Sequence, residues 1–193
     1  MRAAIVGGGP AGLFFARLLK RSQPEADVHV YEQGREGATW GFGVGLGGRA
    51  MARIADIDRP VYDRLAAAML FTSEQAIVLG DERLNLVYTA ATGAISRLKL
   101  LGILTDACRD AGVVLHFETP PMTADTLPPA DLVVAADGVN SRLRDAHAAS
   151  FGTERSVADE PLRLVRRRPP AFALGAGLPA FRGRDIRRPL LCL

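Results

Sequence analysis

Apolar positions along this chain follow two rhythms, and the rhythm changes at glycine. Residues 3–6, Ala-Ala-Ile-Val, form a short unbroken apolar run, the pattern of a strand buried on both faces. Glycines at 7, 9 and 12 interrupt it. Leu13, Phe14, Ala16, Leu18 and Leu19 then recur at helical spacing, which predicts a helix over about 12–21. Residues 27–32, Asp-Val-His-Val-Tyr-Glu, alternate polar and apolar positions as a second strand. Strand, helix and strand in this order predict a βαβ unit with parallel strands and an α/β architecture.

The later pattern is more open. Residues 34–48 hold Gly41, Gly43, Gly45, Gly47 and Gly48 and read as a glycine-rich loop able to run beside a flat ligand or simply to flex. Residues 49–70 read as helical with a break at Pro60. Residues 75–79 and 84–88 read as strands joined by a turn at 80–82, an inserted hairpin within about 72–92. Over 97–111 an amphipathic helix is expected from Leu98, Leu101, Leu104, Thr105 and Cys108, with Gly112 ending it. Residues 113–117 form a further strand, and after a proline-rich connection residues 131–136 are apolar enough for a buried parallel strand.

Chemistry enters at the first turn. Gly7-x-Gly9-x-x-Gly12 lies between a strand and a helix, where each glycine has a task. Gly7 permits the tight turn, Gly9 lets the backbone approach a pyrophosphate, and Gly12 lets helix and strand pack closely. Pro10 and Ala11 open the helix, whose positive end faces the phosphates. Glu32, followed by Gln33, closes the second strand about 20 residues further on, where a ribose-binding acid belongs. A carboxylate there accepts bonds from ribose hydroxyls and repels a 2′-phosphate. The spacing therefore points to the ADP half of FAD or NAD rather than NADP.

Composition narrows the class. The chain has 193 residues, 48% of them hydrophobic, enough for a real core and too apolar for wholesale disorder. No apolar run is long enough to span a bilayer, and the strand beginning almost at Met1 leaves no room for a signal peptide. A cytoplasmic location is expected. Cys108 and Cys192 are too few and too far apart for a disulfide framework, and His29, His116 and His147 lack metal-ligand spacing, so no metal is expected. The net charge of +3 comes from an arginine-rich end (Arg163, Arg166, Arg167, Arg168, Arg182, Arg184, Arg187 and Arg188); the rest is slightly acidic. With no aromatic platform or DNA-binding motif beside it, this charge does not point to nucleic acid.

A second motif follows the strand at 131–136: Asp137-Gly138-Val139-Asn140-Ser141-Arg142-Leu143-Arg144. Together with the glycine turn, and with Arg97, Leu100 and Leu104 at a helix start, it resembles the FAD-dependent aromatic monooxygenases of the para-hydroxybenzoate hydroxylase type. The resemblance covers residues 1 to about 154. The loop Thr39-Trp40-Gly41-Phe42-Gly43-Val44 is similar to that of hydroxylases acting on aromatic acyl-CoA thioesters, among them the salicylyl-CoA and aminobenzoyl-CoA hydroxylases.

The resemblance implies a Rossmann-like FAD-binding fold (the GR2 type of flavoprotein) with a parallel sheet. It implies that Gly7, Gly9 and Gly12 cradle the FAD pyrophosphate, that Glu32 holds the adenosine ribose, and that Arg97 meets phosphate or ribityl oxygens. Asp137 would accept from a flavin hydroxyl beside Gly138, Ser141 belongs to the same cofactor-binding motif, and Arg144 would support the motif and the access of nicotinamide nucleotide. Arg97 could equally be a surface residue at a helix start, and Arg144 a partner of Asp137 or Asp145. The implied reaction takes electrons from NAD(P)H and dioxygen as co-substrate, and hydroxylates an aromatic small molecule through a flavin hydroperoxide. No catalytic acid, base or nucleophile is identifiable.

The family is longer than this chain and carries a substrate-covering sheet and a second G-D motif, neither visible here. Residues 1–154 are expected to be the N-terminal portion of the FAD-binding domain. Residues 155–193, rich in Arg and Pro, are expected to be a truncated or frameshifted start of the substrate domain, or a natural tail. Two functions stay open at this point: an NAD(P)H-dependent hydroxylase, or an FAD- or ADP-binding fragment without activity of its own. An NAD-dependent reductase is disfavoured by the motif at 137–144. The sequence leaves the oligomeric state undetermined.

Overall fold

The computed structural model describes residues 1–156 apart from Trp40, Gly80 and Ala124. In chain order the elements are β1 (Arg2–Val6), α1 (Pro10–Ser22), β2 (Asp27–Tyr31), β3 (Gly43–Leu46), α2 (Gly48–Ile57), α3 (Arg59–Ala68) and β4 (Leu70–Leu79). They continue as β5 (Glu82–Ser96), α4 (Arg97–Asp110), β6 (Val114–His116), β7 (Leu132–Ala135), α5 (Arg142–Ala146) and α6 (Ala148–Phe151).

Four strands form a parallel sheet in the order β6-β2-β1-β7. β1 runs parallel to β2, Ala3 opposite Val28 and Val6 opposite Tyr31, and on its other side parallel to β7, Val6 opposite Ala135. All four residues from Ala3 to Val6 are buried, as expected of a central parallel strand. α1 and α4 pack together, and Ile5, Leu13, Ala16, Val28, Val30, Leu104 and Cys108 belong to one core. The α/β architecture and the parallel βαβ unit are therefore as expected. The expected tail falls mostly on residues 157–193, outside the described residues, as do the turn residue Gly80 and the loop residue Trp40.

Four expectations need correction. The glycine-rich stretch 34–48 is not all loop: β3 pairs antiparallel with β5, Val44 opposite Ile95 and Leu46 opposite Gly93, because Val44 and Leu46 find core on that side. The helical stretch 49–70 is two helices, and they break at Asp58 rather than at Pro60. Pro60 sits in the first turn of α3, where its missing N–H is not needed. The hairpin is longer than expected, 70–96 in all, and forms a separate sheet of order β3-β5-β4. In α4 the buried face is Leu100, Leu104, Thr105, Ala107 and Cys108, while Leu98, expected inside, is exposed.

Asp58 explains the break. Its side chain is fully buried and caps α3 by accepting from the Val61 N–H at 3.4 Å. Its other oxygen accepts from Arg17 Nε at 3.0 Å and lies 3.1 Å from Arg21 Nη1, both on α1. Arg17 Nη1 also donates to the Ala107 carbonyl of α4 at 3.0 Å. One carboxylate thus ties α1 to the α2–α3 corner. Burial alone pushes its pKa up, but the bonds and charges of Arg17, Val61 N–H and Arg21 outweigh burial and hold it below the ordinary value.

Candidate functional site

The carboxyl ends of β1, β2 and β7 lie side by side, and every sequence-derived site residue except Arg97 follows one of these three strands directly in the chain. This edge is where ligands bind in open parallel sheets. Gly7 takes φ +109°, and a Cβ there would stand 2.3 Å from the Ala136 carbonyl oxygen. At Gly12 a Cβ would stand 2.0 Å from the Gly7 oxygen, so helix and turn touch through this glycine. Gly8, not singled out in the sequence, is equally constrained: its Cβ would meet Glu32 Cβ at 2.8 Å. Gly9 differs. Its φ is an ordinary −73°, and nothing lies within 4 Å of where its Cβ would be. The protein's own packing does not require glycine there.

α1 begins at Pro10 with Gly9 as its N-cap and no side-chain cap, and its first turn carries no acid. Its positive end is left for an external anion. Glu32 is held by the loops around it. Oε2 accepts from the Gly8 N–H at 2.7 Å and Oε1 from the Gly34 N–H at 2.7 Å. Two of a carboxylate's four lone-pair sites are used, leaving capacity for two hydroxyl donors. Gln33 beside it is exposed.

The motif at 137–144 builds the facing wall. Gly138 takes φ +83°, a turn conformation that favours glycine, and the Ser141 N–H returns to its carbonyl at 3.1 Å. Ser141 is buried and caps α5, its Oγ accepting from the Arg144 N–H at 3.0 Å. Arg144 holds the turn from outside: Nη2 donates to the Val139 carbonyl at 2.9 Å and to Asp145 Oδ1 at 2.8 Å. Its guanidinium is thus engaged as one of the two alternatives anticipated, with Asp145 rather than Asp137. Asp137 Oδ2 accepts from the Arg142 N–H at 3.2 Å, while its Oδ1 is buried without a partner. Ala11, Ala136, Asp137, Gly138, Ser141 and Arg144 line an open depression of about 380 Å³.

Arg97 starts α4, and its N–H donates to the Phe42 carbonyl at 3.1 Å. Its Cδ lies 3.8 Å from where a Cβ on Gly41 would be, so Gly41 runs against its stem. Arg97 Nε is buried without a partner, and so is Thr39 Oγ1. These two atoms and Asp137 Oδ1 are the only buried side-chain polar atoms without a hydrogen bond among the described residues. Orphaned buried donors and acceptors are rare in folded proteins. These three atoms, on the loop after β2, at the start of α4 and after β7, have hydrogen-bonding capacity left for a polar ligand.

The histidines have another fate. His29 Nδ1 and His116 Nε2 are 2.9 Å apart across β2 and β6, and His29 Nε2 is 2.7 Å from Asp27 Oδ1. Tyr31 and His116 stack beside them. Burial and the neighbouring His29 lower the His116 pKa. Among the described residues no three His, Cys, Asp or Glu side chains group to hold a metal ion, and no helix is long and apolar enough to cross a membrane.

Residues 5–76 match the NAD(P)-binding Rossmann-like domain family. Salicyloyl-CoA 5-hydroxylase from a Streptomyces species is 36% identical over 158 residues, which is 82% of this chain and 30% of that protein. The chain is related to the FAD-dependent aromatic monooxygenases. Solved structures show the same fold. The tetrameric form of 2-methyl-3-hydroxypyridine-5-carboxylic acid oxygenase superimposes with a TM-score of 0.65 at 24% identity, over 75% of this chain and 41% of that one. CtdE in complex with FAD superimposes with a TM-score of 0.58 at 21% identity, over 76% and 40%. The chain thus spans well under half the length of each of these relatives.

Proposed function

We propose that this chain forms the FAD-holding part of an NAD(P)H-dependent monooxygenase that hydroxylates an aromatic substrate, an aromatic acyl-CoA in the finer reading, in the cytoplasm. The observation that carries the dinucleotide reading is Gly9. Of the four glycines at 7, 8, 9 and 12, it alone has open space where a side chain would stand. That space lies at the uncapped start of α1, where a phosphate would be met by backbone N–H groups and the helix dipole.

In this reading Glu32, preset by the Gly8 and Gly34 N–H groups, accepts the two adenosine ribose hydroxyls and disfavours a 2′-phosphate. Gly7 and Gly12 shape the turn, Pro10 and Ala11 open the helix, and Gln33 flanks the ribose acid at the surface. Arg97 supplies a cation for phosphate or ribityl oxygens. Asp137 Oδ1 accepts a hydrogen bond from a hydroxyl on the flavin side. Gly138 lets the backbone approach, while Ser141 and Arg144 hold that turn in shape. Bound flavin would supply the redox chemistry with dioxygen; the protein's part is to bind, orient and exclude water.

A second reading is an FAD- or ADP-binding fragment without turnover of its own. It is favoured by the length: the chain covers 30% of the hydroxylase it resembles in sequence. One experiment separates the two. The purified chain is titrated with FAD by flavin fluorescence, then mixed with NADH or NADPH and an aromatic acyl-CoA. Binding with substrate-dependent oxidation of the nicotinamide supports the enzyme, binding without it supports the fragment, and no binding refutes both.

A further inference from the structure

We propose that Thr39 is a ligand-binding residue, its hydroxyl acting with Arg97 Nε on the oxygen-rich span of the dinucleotide between adenosine ribose and flavin. The inference rests on the dinucleotide reading above and adds to it a residue outside the glycine turn and the motif at 137–144.

Position carries the argument. Gly34 donates its N–H to Glu32 Oε1, and a Cβ on Gly34 would stand 3.7 Å from Ala38 Cβ, so the loop folds back over the ribose acid just before Thr39. Two residues after Thr39, Gly41 lies against the Arg97 stem, and the Phe42 carbonyl accepts the Arg97 N–H. Thr39 therefore falls in the chain between Ala38, packed beside Gly34 of the ribose-acid turn, and Gly41, packed beside the Arg97 stem. A ligand reaching from Glu32 to Arg97 passes it.

Chemistry says what it does there. Thr39 Oγ1 is buried and has no hydrogen-bond partner, and Arg97 Nε shares that condition. A threonine hydroxyl at an irregular backbone position ordinarily bonds to nearby backbone, as Thr72 at the β4 register shift and Thr119 after β6 do in this chain. Thr39 Oγ1 makes no such bond. A hydroxyl can donate to a phosphate or ribityl oxygen and still accept from a neighbour. Hydrogen bonds to charged oxygens are about twice as strong as neutral ones.

The test compares Thr39→Val, which keeps the shape and removes the hydroxyl, with Thr39→Ser, which keeps the hydroxyl. On the full 193-residue chain, each is titrated with FAD and melted without ligand. Thr39→Val should bind FAD about ten-fold more weakly than the wild type, and Thr39→Ser within about three-fold of it. Without FAD the melting midpoint of Thr39→Val should be unchanged or higher by about 2–4 °C, because an unsatisfied buried hydroxyl has been removed. Opposite signs for binding and stability are the signature of a ligand-directed group. Wild-type affinity in Thr39→Val, or a lowered midpoint that Thr39→Ser restores, overturns the inference while leaving the dinucleotide reading intact. Failure of the wild type itself to bind FAD sinks both.

Discussion

Replacing Gly9 by alanine should separate binding from folding. At this N-cap, with φ −73°, the added methyl meets nothing within 4 Å. Two small effects oppose each other. Alanine restricts the unfolded chain, which stabilises by about 0.4–1 kcal/mol where the native backbone suits it. Alanine is also a poorer N-cap than glycine, by about 0.5–1 kcal/mol. The net change in stability should fall within about 0.5 kcal/mol of zero. The same substitution at Gly12 puts a methyl 2.0 Å from the Gly7 oxygen, where about 3.4 Å is needed. α1 would have to lift by more than an ångström, disturbing Leu13 and Ala16, both fully buried, at about 3 kcal/mol or more. Binding should follow a different order. The Gly9 methyl would occupy the space assigned to a pyrophosphate, and losing one charged hydrogen bond there is worth about 1.5–3 kcal/mol, ten-fold or more in FAD affinity. Urea unfolding followed by circular dichroism, and FAD titration on the same samples, measure both quantities. If Gly9→Ala unfolds as easily as Gly12→Ala, or binds FAD like the wild type, the space beside Gly9 is not a ligand site.

Asp58→Ala should destabilise by about 3–5 kcal/mol, since it strands Arg17 and removes the cap of α3. Because the Asp58 pKa is lowered by folding, its stabilisation is present above the ordinary value of 3.8 and lost as pH falls below it. Acid titrations of the wild type should therefore show a loss as pH falls through and below 3.8 that is smaller in Asp58→Asn. The His116 pKa is also lowered by folding, so its share of stability is present above 6.5 and fades as pH falls below it. Denaturation midpoints from pH 7.5 to 5 should drop less in His116→Gln than in the wild type, and equal drops would contradict the pairing with His29. Arg97→Met keeps the buried stem and loses the guanidinium. FAD affinity should fall at least about ten-fold with stability within about 1 kcal/mol, and unchanged affinity would remove Arg97 from the site. The Cys108 thiol is buried and pushed up to about 12, so in a Cys192→Ser background it should resist a thiol reagent until urea unfolds the chain.

Much of the frame was legible before any coordinates, because it is written in neighbouring residues. The apolar run at 3–6, the glycines at 7, 9 and 12, the alternation at 27–32 and the strand before Asp137 are each local patterns. Their local patterns suffice to predict strand, turn and helix. The ends were less accurate where local and tertiary signals disagree. Glycines at 43 and 45 read as loop, yet Val44 and Leu46 meet β5 and make a strand. Proline at 60 read as the break, yet the buried charge of Asp58 placed it two residues earlier.

The site divides along the same line. Which residues could serve a dinucleotide follows from type and spacing, so Gly9, Glu32, Arg97 and Asp137 stood out in the sequence. Which atoms are left unpaired does not. Gly8 is constrained only because Glu32, 24 residues away, packs on it. His29 and His116 share a hydrogen bond 87 residues apart because β6 joins the sheet beside β2. Gly41 and Phe42 lie against Arg97 because β3 pairs with the strand that leads into α4. Spacing along the chain sets what a residue can be; the distance between segments remote in sequence, set by packing of the core, decides what it touches.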